Sequence, residues 1–391
     1  MLADLHAHYP MHLRADAHKR LIDAIATAPG RWETLDRIRS WLVRAASLVG
    51  NYPSVESGPR VTIPLLETGG VGVAMSVLYS PFDEMDVGKH YGSPPDSNYF
   101  PTLLRQLEGV EDEVEHDHAG RARVVHDRAE LQAAIDAEEV ALVHCVEGGF
   151  HLGGTSEEVD RNVAELARRG CFYVTVAHLF YRSVATNVNA IPFLPDRVYR
   201  FLFPMPEGVG LTALGRAAVT ALVRERVLVD VSHMDQTALD DTFALLDELD
   251  PDREVPVIAT HTAYRFGDDP YNLTAETFER IVARGGVAGL ILAEHQAADG
   301  LGHTDSIEDA LAVLFRHIDR FHQIAGSHRH TAIGTDLDGF IKPTLARLET
   351  EADMRRVEQA LRERYGPADA DLIASGNALR LARTYWRGAA G

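Results

Sequence analysis

The first residues that could do chemistry are two histidines near the start of the chain, His6 and His8. Residues 3–8 form an apolar segment typical of a short buried strand, in which side chains alternate between two faces. We therefore expect Asp4, His6 and His8 to point the same way. Two imidazoles at this spacing can bind one metal ion just past the strand end. Surface histidines can show the same spacing, so a metal site also needs ligands from other strand ends.

Further candidate residues end or follow apolar runs that are typical of buried strands: Glu147, His178, His233, His261 and Asp336. Alternation places residues 227, 229 and 231 on the same face as His233, and we expect these apolar residues to fill a barrel interior beneath the histidine. The same pattern precedes His178, His261 and Asp336. His151 and His295 lie just beyond other strand ends as weaker candidates. Each residue taken singly has a structural explanation, such as a helix cap or an Asx turn.

Together these residue types suit a site for two metal ions. Two or three imidazoles and one carboxylate would hold each ion, and a shared carboxylate would keep the ions roughly 3.5–4 Å apart. A water bound between the ions would lose a proton near neutral pH and become the nucleophile. Asp336 could take that proton and pass it to the leaving group, and His178 could stabilise the oxyanion. Histidine-rich ligation favours Zn²⁺ without excluding other divalent transition metals.

Eight apolar runs alternate with helical patterns, which predicts a parallel sheet closed into a (β/α)8 TIM-type barrel. We assign residues 1–391 to this single domain, with two extra C-terminal helices. The candidates above would then meet at one mouth of the barrel. An open doubly wound sheet is the alternative, although no Gly-x-Gly-x-x-Gly pattern follows an early strand. The predicted strands are residues 2–8, 71–79, 140–149, 172–178, 227–231, 257–260, 286–292 and 331–334.

Composition excludes several classes of partner. The net charge of -20, from 38 Lys and Arg against 58 Asp and Glu, argues against a nucleic-acid-binding surface. The sequence has no run of 18 apolar residues and no signal peptide before the first predicted strand, so we expect no membrane partner and a cytoplasmic location. Cys145 and Cys171 lie in apolar runs and are predicted to be buried free thiols. A small-molecule substrate is the expected partner, and a homodimer is left open.

Five motifs of this chain resemble those of the membrane dipeptidase (renal dipeptidase) family of the amidohydrolase superfamily. Residues 146–149 (VEGG) resemble the family's bridging-glutamate motif, and residues 210–233 are similar to its most specific stretch. Residues 260–262 (THT) stand where the family has Ser-His-Ser. Residues 333–339 (IGTDLDG) and 375–380 (SGNALR) resemble the family's Gly-Ser-Asp-Phe-Asp-Gly and Gly-Gly-Asn motifs. The resemblance covers nearly the whole chain.

The resemblance implies a (β/α)8 barrel with a two-zinc site. It implies that Asp336 is the catalytic acid/base, close to one metal, and that His178 binds substrate and the oxyanion. The implied metal ligands are His6, Glu147, His233 and His261.

The chain departs from the family's pattern at two positions. The family opens with Asp-x-His-x-Asp, and here His8 takes the last place as a candidate ligand. This replacement removes one negative charge and should make the metal pair more electrophilic. The family also places an Arg before an Asn to hold the substrate's carboxylate, and here Tyr271 takes that substrate-binding position. We expect the carboxylate to be held instead by Arg182 or Arg265, which lie four residues past His178 and His261.

These observations predict a binuclear metal-dependent hydrolase that cleaves an amide or peptide bond in a dipeptide-like or N-acyl amino acid substrate. A lactone or ester hydrolase with the same metal pair is the nearest alternative among enzymes. A non-catalytic, metal-binding descendant of the fold is the alternative from another class, and the presence of Asp336 beside a full set of ligands argues against it.

Overall fold

A computed structural model describes residues 1–14, 58–85, 89–191, 194–339 and 343–387. The helical stretch expected over residues 15–48 lies outside these ranges.

Eight parallel strands form a closed ring, so the predicted (β/α)8 barrel is confirmed. The strands are β1 (Leu2–Ala7), β2 (Val71–Leu78), β4 (Val140–Glu147), β5 (Tyr173–Thr175), β6 (Leu228–Asp230), β7 (Val257–Thr262), β8 (Val287–Leu290) and β9 (Thr331–Ile333). The ring runs β2-β1-β9-β8-β7-β6-β5-β4, and β4 pairs back to β2.

A ninth strand, β3 (Ala122–Val125), was not predicted from the sequence. It pairs with residues 140–143 of β4, on the edge that β5 occupies further along at Val146 and Glu147. Only two of its four residues are buried, so its sequence lacks the continuous apolar run of the barrel strands.

Helices pack around the barrel, and all but the two after β9 lie between strands in the chain. Those described are α1 (Ile63–Gly69), α2 (Pro81–Met85), α3 (Tyr99–Asp117), α4 (Arg128–Asp136), α5 (Ser156–Arg168), α6 (Asp196–Leu202), α7 (Ala213–Glu225), α8 (Gln236–Leu249), α9 (Ala275–Ala283), α10 (Glu294–Ala297), α11 (Ile307–Ala325), α12 (Met354–Asp371) and α13 (Asn377–Tyr385). None of the helices in the described ranges is long and apolar enough to cross a membrane.

Two apolar clusters divide the strand residues between the inside and the outside of the barrel. Leu5, Tyr173, Leu228 and Ile258 belong to the inner cluster, whereas their strand neighbours pack against the helices. The prediction that residues 227, 229 and 231 fill the interior is therefore wrong. These valines face the helices, as do residues 174 and 176 before His178 and residues 257 and 259 before His261. Ala332, before Asp336, does belong to the inner cluster, so the prediction is confirmed on that strand.

The C-terminal helix α13 closes one end of the barrel. Its apolar residues belong to the inner cluster, and the Trp386 ring next to it lies 5.5 Å from that of Phe172. Arg380 donates to the carbonyl of Gly285 just before β8, and Asn377 donates to that of Thr331 at the start of β9. The helix therefore covers the N-terminal strand ends and leaves the C-terminal ends for the site.

Candidate metal centre

The carboxylate of Glu147, at the end of β4, lies among five imidazoles. Each imidazole directs its Nε2 atom at the carboxylate, which is buried. The distances to Oε1 are 3.4 Å from His6, 3.5 Å from His233 and 3.3 Å from His261, and those to Oε2 are 3.3 Å from His8 and 3.2 Å from His178. The structure thus brings five predicted site residues together around a sixth, Glu147.

Asp336 lies beside this cluster, directly after β9. Its Oδ1 is 3.1 Å from Nε2 of His8 and 3.8 Å from Nε2 of His6. Its backbone has a positive φ of 57° and its N–H donates to the carbonyl of His6. The aspartate is therefore held against β1, with its carboxylate between the imidazoles and a small cavity at the barrel mouth.

The histidines reach the centre because the strand ends depart from regular alternation. The register of β1 shifts between Asp4 and Ala7, and that of β7 shifts between Ala259 and Thr262. His233 has a positive φ of 66°, which is uncommon for a residue other than glycine. Regular alternation would place such a side chain on the outside of the barrel. The irregularity turns it toward the barrel axis instead.

The carboxylate of Asp4 fixes the irregular end of β1. Its Oδ1 accepts from the backbone N–H groups of His6 and Thr335, and its Oδ2 accepts from the Thr335 hydroxyl. Asp4 thus joins β1 to the residues after β9 and does not enter the imidazole cluster. The expectation that it points the same way as His6 and His8 is wrong.

Asp230, at the end of β6, plays the same part on the opposite side of the barrel. Its Oδ1 accepts from the N–H groups of Ser232 and Thr260, and its Oδ2 accepts from the hydroxyls of Thr260 and Thr175. Sequence reasoning missed both roles, although each aspartate precedes a candidate histidine by two or three residues.

The hydroxyl of Thr260 sets the tautomer of two histidines. Its single hydrogen is donated to Asp230, so it can only accept from the Nδ1 atoms of His6 and His261, both 2.9 Å away. In its neutral form each ring then has its hydrogen on Nδ1 and a lone pair on Nε2, which is the tautomer that binds a metal ion.

The charges of the cluster also suit a cation. Burial alone would raise the pKa of the Glu147 carboxyl, but the imidazoles, that of His178 first, hold this pKa well below its usual range. Burial and the nearby ring of His6 hold the pKa of His261 well below its usual value. An ionised carboxylate beside a neutral imidazole is a metal-binding combination.

Nearby carboxylates raise the pKa of two further histidines. Burial opposes a charge on His8, yet Asp336 and Glu147 raise its pKa to about 9. Burial likewise opposes the charge on His178, and the carboxylates of Glu147 and Glu84 raise its pKa to about 10. Ions bound at the cluster would therefore displace a proton from His8 if its imidazole is a ligand.

The donor set fits metal ions. Glu147 Oε1 and His6 Nε2 are buried without a hydrogen-bond partner, as expected of atoms reserved for an ion. Among the described residues, three groups of side chains have ligand atoms within 4.8 Å of one another, and Glu147 belongs to two of them. The groups are His6, His261 and Asp336; His6, His8 and Glu147; and Glu147, His178 and His233.

A small cavity opens above the cluster at the barrel mouth. His295 and Gln296, in α10, line it beside the predicted residues, whereas His151 accepts a hydrogen bond from Ser80 N outside it. The described residues that line the cavity are His8, Glu147, His178, Leu179, Ala190, His233, Tyr271, His295, Gln296, Asp336 and Gly339.

The two arginines predicted to bind a carboxylate do not line this cavity. Arg182 is buried, and its Nη2 donates to the hydroxyl of Tyr99. Arg265 donates to two backbone carbonyls and lines a second cavity of about 270 Å³. His233 and Tyr271 line both cavities, so the cavity beside Arg265 adjoins the one above the cluster.

Tyr271 lines the first cavity, but its hydroxyl is already engaged. It donates to the carbonyl of His261 at 2.7 Å, and the ring lies 5.0 Å from that of His233. The side chain therefore supports two candidate ligands and offers the cavity its ring.

We expect Tyr271→Phe to weaken metal binding about 10- to 100-fold, the usual effect of losing a residue that supports a ligand. The buried carbonyl of His261 would lose its partner, which costs about 1–3 kcal/mol of stability. A chelator-competition titration measures the affinity. Tyr365→Phe, which removes a hydroxyl bonded to Asp319 outside the cluster, is the control. Unchanged metal affinity in Tyr271→Phe would contradict this supporting role.

Comparison with known proteins identifies the family. A sequence model of the membrane dipeptidase family, peptidase family M19, matches residues 3–387. The chain belongs to this family. Membership makes the protein a metal-dependent hydrolase and confirms the resemblance found in its motifs. A Klebsiella pneumoniae protein, described as an uncharacterized protein in the pqqA 5′ region, is 28% identical over 289 residues, which are 73% of this chain and 96% of that protein.

Solved structures of M19 enzymes share the fold. The dipeptidase AC matches with a TM-score of 0.69 and 19% identity, covering 98% of each chain. A metallopeptidase from Rhodobacter sphaeroides, liganded with a phosphinate mimic of the dipeptide L-Ala-D-Ala, matches with a TM-score of 0.69 and 18% identity. That match covers 98% of this chain and 99% of the other.

Proposed function

We propose that this M19 protein hydrolyses the peptide or amide bond of a small dipeptide-like or N-acyl amino acid substrate. The observation that carries the proposal is the buried Glu147 carboxylate facing five Nε2 atoms, with Asp336 beside them at the cavity. The L-Ala-D-Ala mimic bound by the Rhodobacter sphaeroides relative supports a dipeptide as substrate. Release of free amino acids from a panel of dipeptides, with and without chelator, tests it.

We assign two divalent ions to the cluster, with Zn²⁺ favoured by the imidazoles. Glu147 would bridge the two ions, and His8 would serve where the family has a carboxylate. When bound, such a pair activates a water and polarises the scissile carbonyl. The proposed ligands are His6, His8, Glu147, His233 and His261, with Asp336 close to one ion.

Asp336 is the proposed proton shuttle. Its carboxylate lines the cavity and is anchored from behind by the bond from its N–H to the His6 carbonyl. It can accept a proton from the attacking water and deliver it to the leaving nitrogen, so one group acts as base and then as acid.

His178 is the proposed oxyanion-binding residue. It lines the same cavity, and its Nε2 lies 3.2 Å from Glu147 Oε2, at the border between the cluster and the open space. A proton donor at this position would stabilise the negative charge that develops on the scissile carbonyl oxygen.

The substrate's carboxylate is proposed to bind Arg265 through the second cavity, and Arg182 is the alternative. We expect Arg265→Met to raise KM about 10- to 100-fold for a dipeptide, since a hydrogen bond to a charged group is lost. The KM for the corresponding dipeptide amide should change little. Arg182→Met is the matched comparison. If neither variant raises KM selectively for the dipeptide over its amide, neither arginine binds the substrate's carboxylate. An ester or lactone then becomes the better candidate substrate.

The assignment of residues 1–391 to one catalytic domain remains a proposal, as does a cytoplasmic location. Both cysteines are buried free thiols as predicted, which agrees with a reducing compartment.

A further inference from the structure

A buried carboxylate outside the imidazole cluster holds one of its members. Glu84 lies in α2, just after β2, and is fully buried. Its Oε2 is 2.9 Å from Nδ1 of His178 and accepts from the hydroxyl of Tyr79 at 2.7 Å. Its Oε1 accepts from the backbone N–H of Phe180 at 2.9 Å. Glu84 thus ties the end of β2 to the segment that follows β5.

Only a carboxylate can make all three contacts. The hydroxyl, the ring nitrogen and the backbone N–H all donate to it, and a carboxylate has two acceptor oxygens. Glutamine at this position would have one acceptor oxygen and an NH₂ group. That NH₂ group would face at least one donor and leave it without a partner.

These contacts fix the His178 ring on both sides. With Nδ1 held by Glu84, Nε2 is directed at the cavity and at Glu147. The rings of Tyr79 and His233 each lie 4.5 Å from the His178 ring in edge-to-face contact. The orientation of His178 therefore depends on Glu84 and on packing, without involving the proposed shuttle Asp336.

We propose that Glu84 is a positioning residue for the hydrolysis, acting through His178 by holding Nδ1 so that Nε2 faces the reacting carbonyl. This inference rests on the proposed function. Glu84 and His178 would form a pair in which the carboxylate orients the imidazole that binds the oxyanion.

A double-mutant cycle tests the proposal. In the metal-loaded enzyme, Glu84→Gln should lower kcat about 10- to 100-fold with KM and metal content little changed. In a His178→Ala background the same substitution should have almost no further effect, because residues that act through one another are not additive. Glu111→Gln is the control, since Glu111 contacts His126 and His144 away from the cluster. Equal losses in both backgrounds would overturn the proposal.

Nitrogen-15 NMR of labelled histidines gives a readout that needs no turnover. The His178 Nδ1 proton should be strongly hydrogen-bonded in the wild type, and its signal should shift or disappear in Glu84→Gln. Glu84→Asp, which keeps the charge, should restore part of the signal and serves if the glutamine variant does not fold. An unchanged signal in the folded variant would contradict the positioning role. If the wild type cleaves no dipeptide but Glu84→Gln still shifts the His178 signal, only the proposed function is refuted.

Discussion

Replacing Asp336 by Asn is expected to lower kcat about 10²- to 10⁴-fold, the usual contribution of a general acid–base group. The amide has almost the same shape, and the bond from the residue's N–H to the His6 carbonyl remains. The amide cannot accept a proton from water at neutral pH. The loss should therefore fall on kcat, whereas KM and the number of bound ions should stay close to those of the wild type.

Steady-state kinetics and elemental analysis on the same preparation separate these quantities. Asp309→Asn, at the exposed start of α11, is a matched control for the charge change. Near-normal turnover in Asp336→Asn would show that another group moves the proton. Loss of metal together with activity would make Asp336 an essential ligand.

Replacing Glu147 by Gln is the second substitution with a large expected effect. The change removes the one charge that faces all five Nε2 atoms, so affinity should fall for both ions. We expect a loss of more than about 100-fold, since that is the upper end for a residue that only supports a ligand. Activity should fall with it and recover in part at high metal concentration.

Glu111→Gln provides the control for Glu147→Gln as well, because it is also a carboxylate beside two histidines. His233→Ala should lose less metal than Glu147→Gln, with one ion lost and one retained. A Glu147→Gln enzyme that binds its full complement of ions at wild-type affinity would exclude the bridging role.

The sequence was sufficient to predict the barrel and the residues of the cluster. Parallel strands end at one mouth, so ligand-type residues that follow successive apolar runs are brought to the same end of the barrel. His233 and Asp336 were found in this way, although both follow their strands in positive-φ conformations. For His233 the argument from alternation failed, since residues 229 and 231 pack against helices. For Asp336 it held, since Ala332 belongs to the inner cluster.

The remaining features depend on contacts between distant residues. The roles of Asp4 and Asp230 require Thr335 and Thr260, which only the folded barrel brings near. Glu84 lies in a segment rich in proline and turns, and nothing in its sequence links it to His178, 94 residues away. Such partners could be inferred only after the strand order was known.

The most direct test of the central claim is a titration of the metal-free protein with Zn²⁺, followed by both bound metal and dipeptide hydrolysis. The geometry around Glu147 predicts that about two ions bind per chain and that activity reaches its maximum only as the second site fills. Binding that saturates at one ion, or hydrolysis that persists without added metal in the presence of chelator, would contradict a binuclear hydrolase.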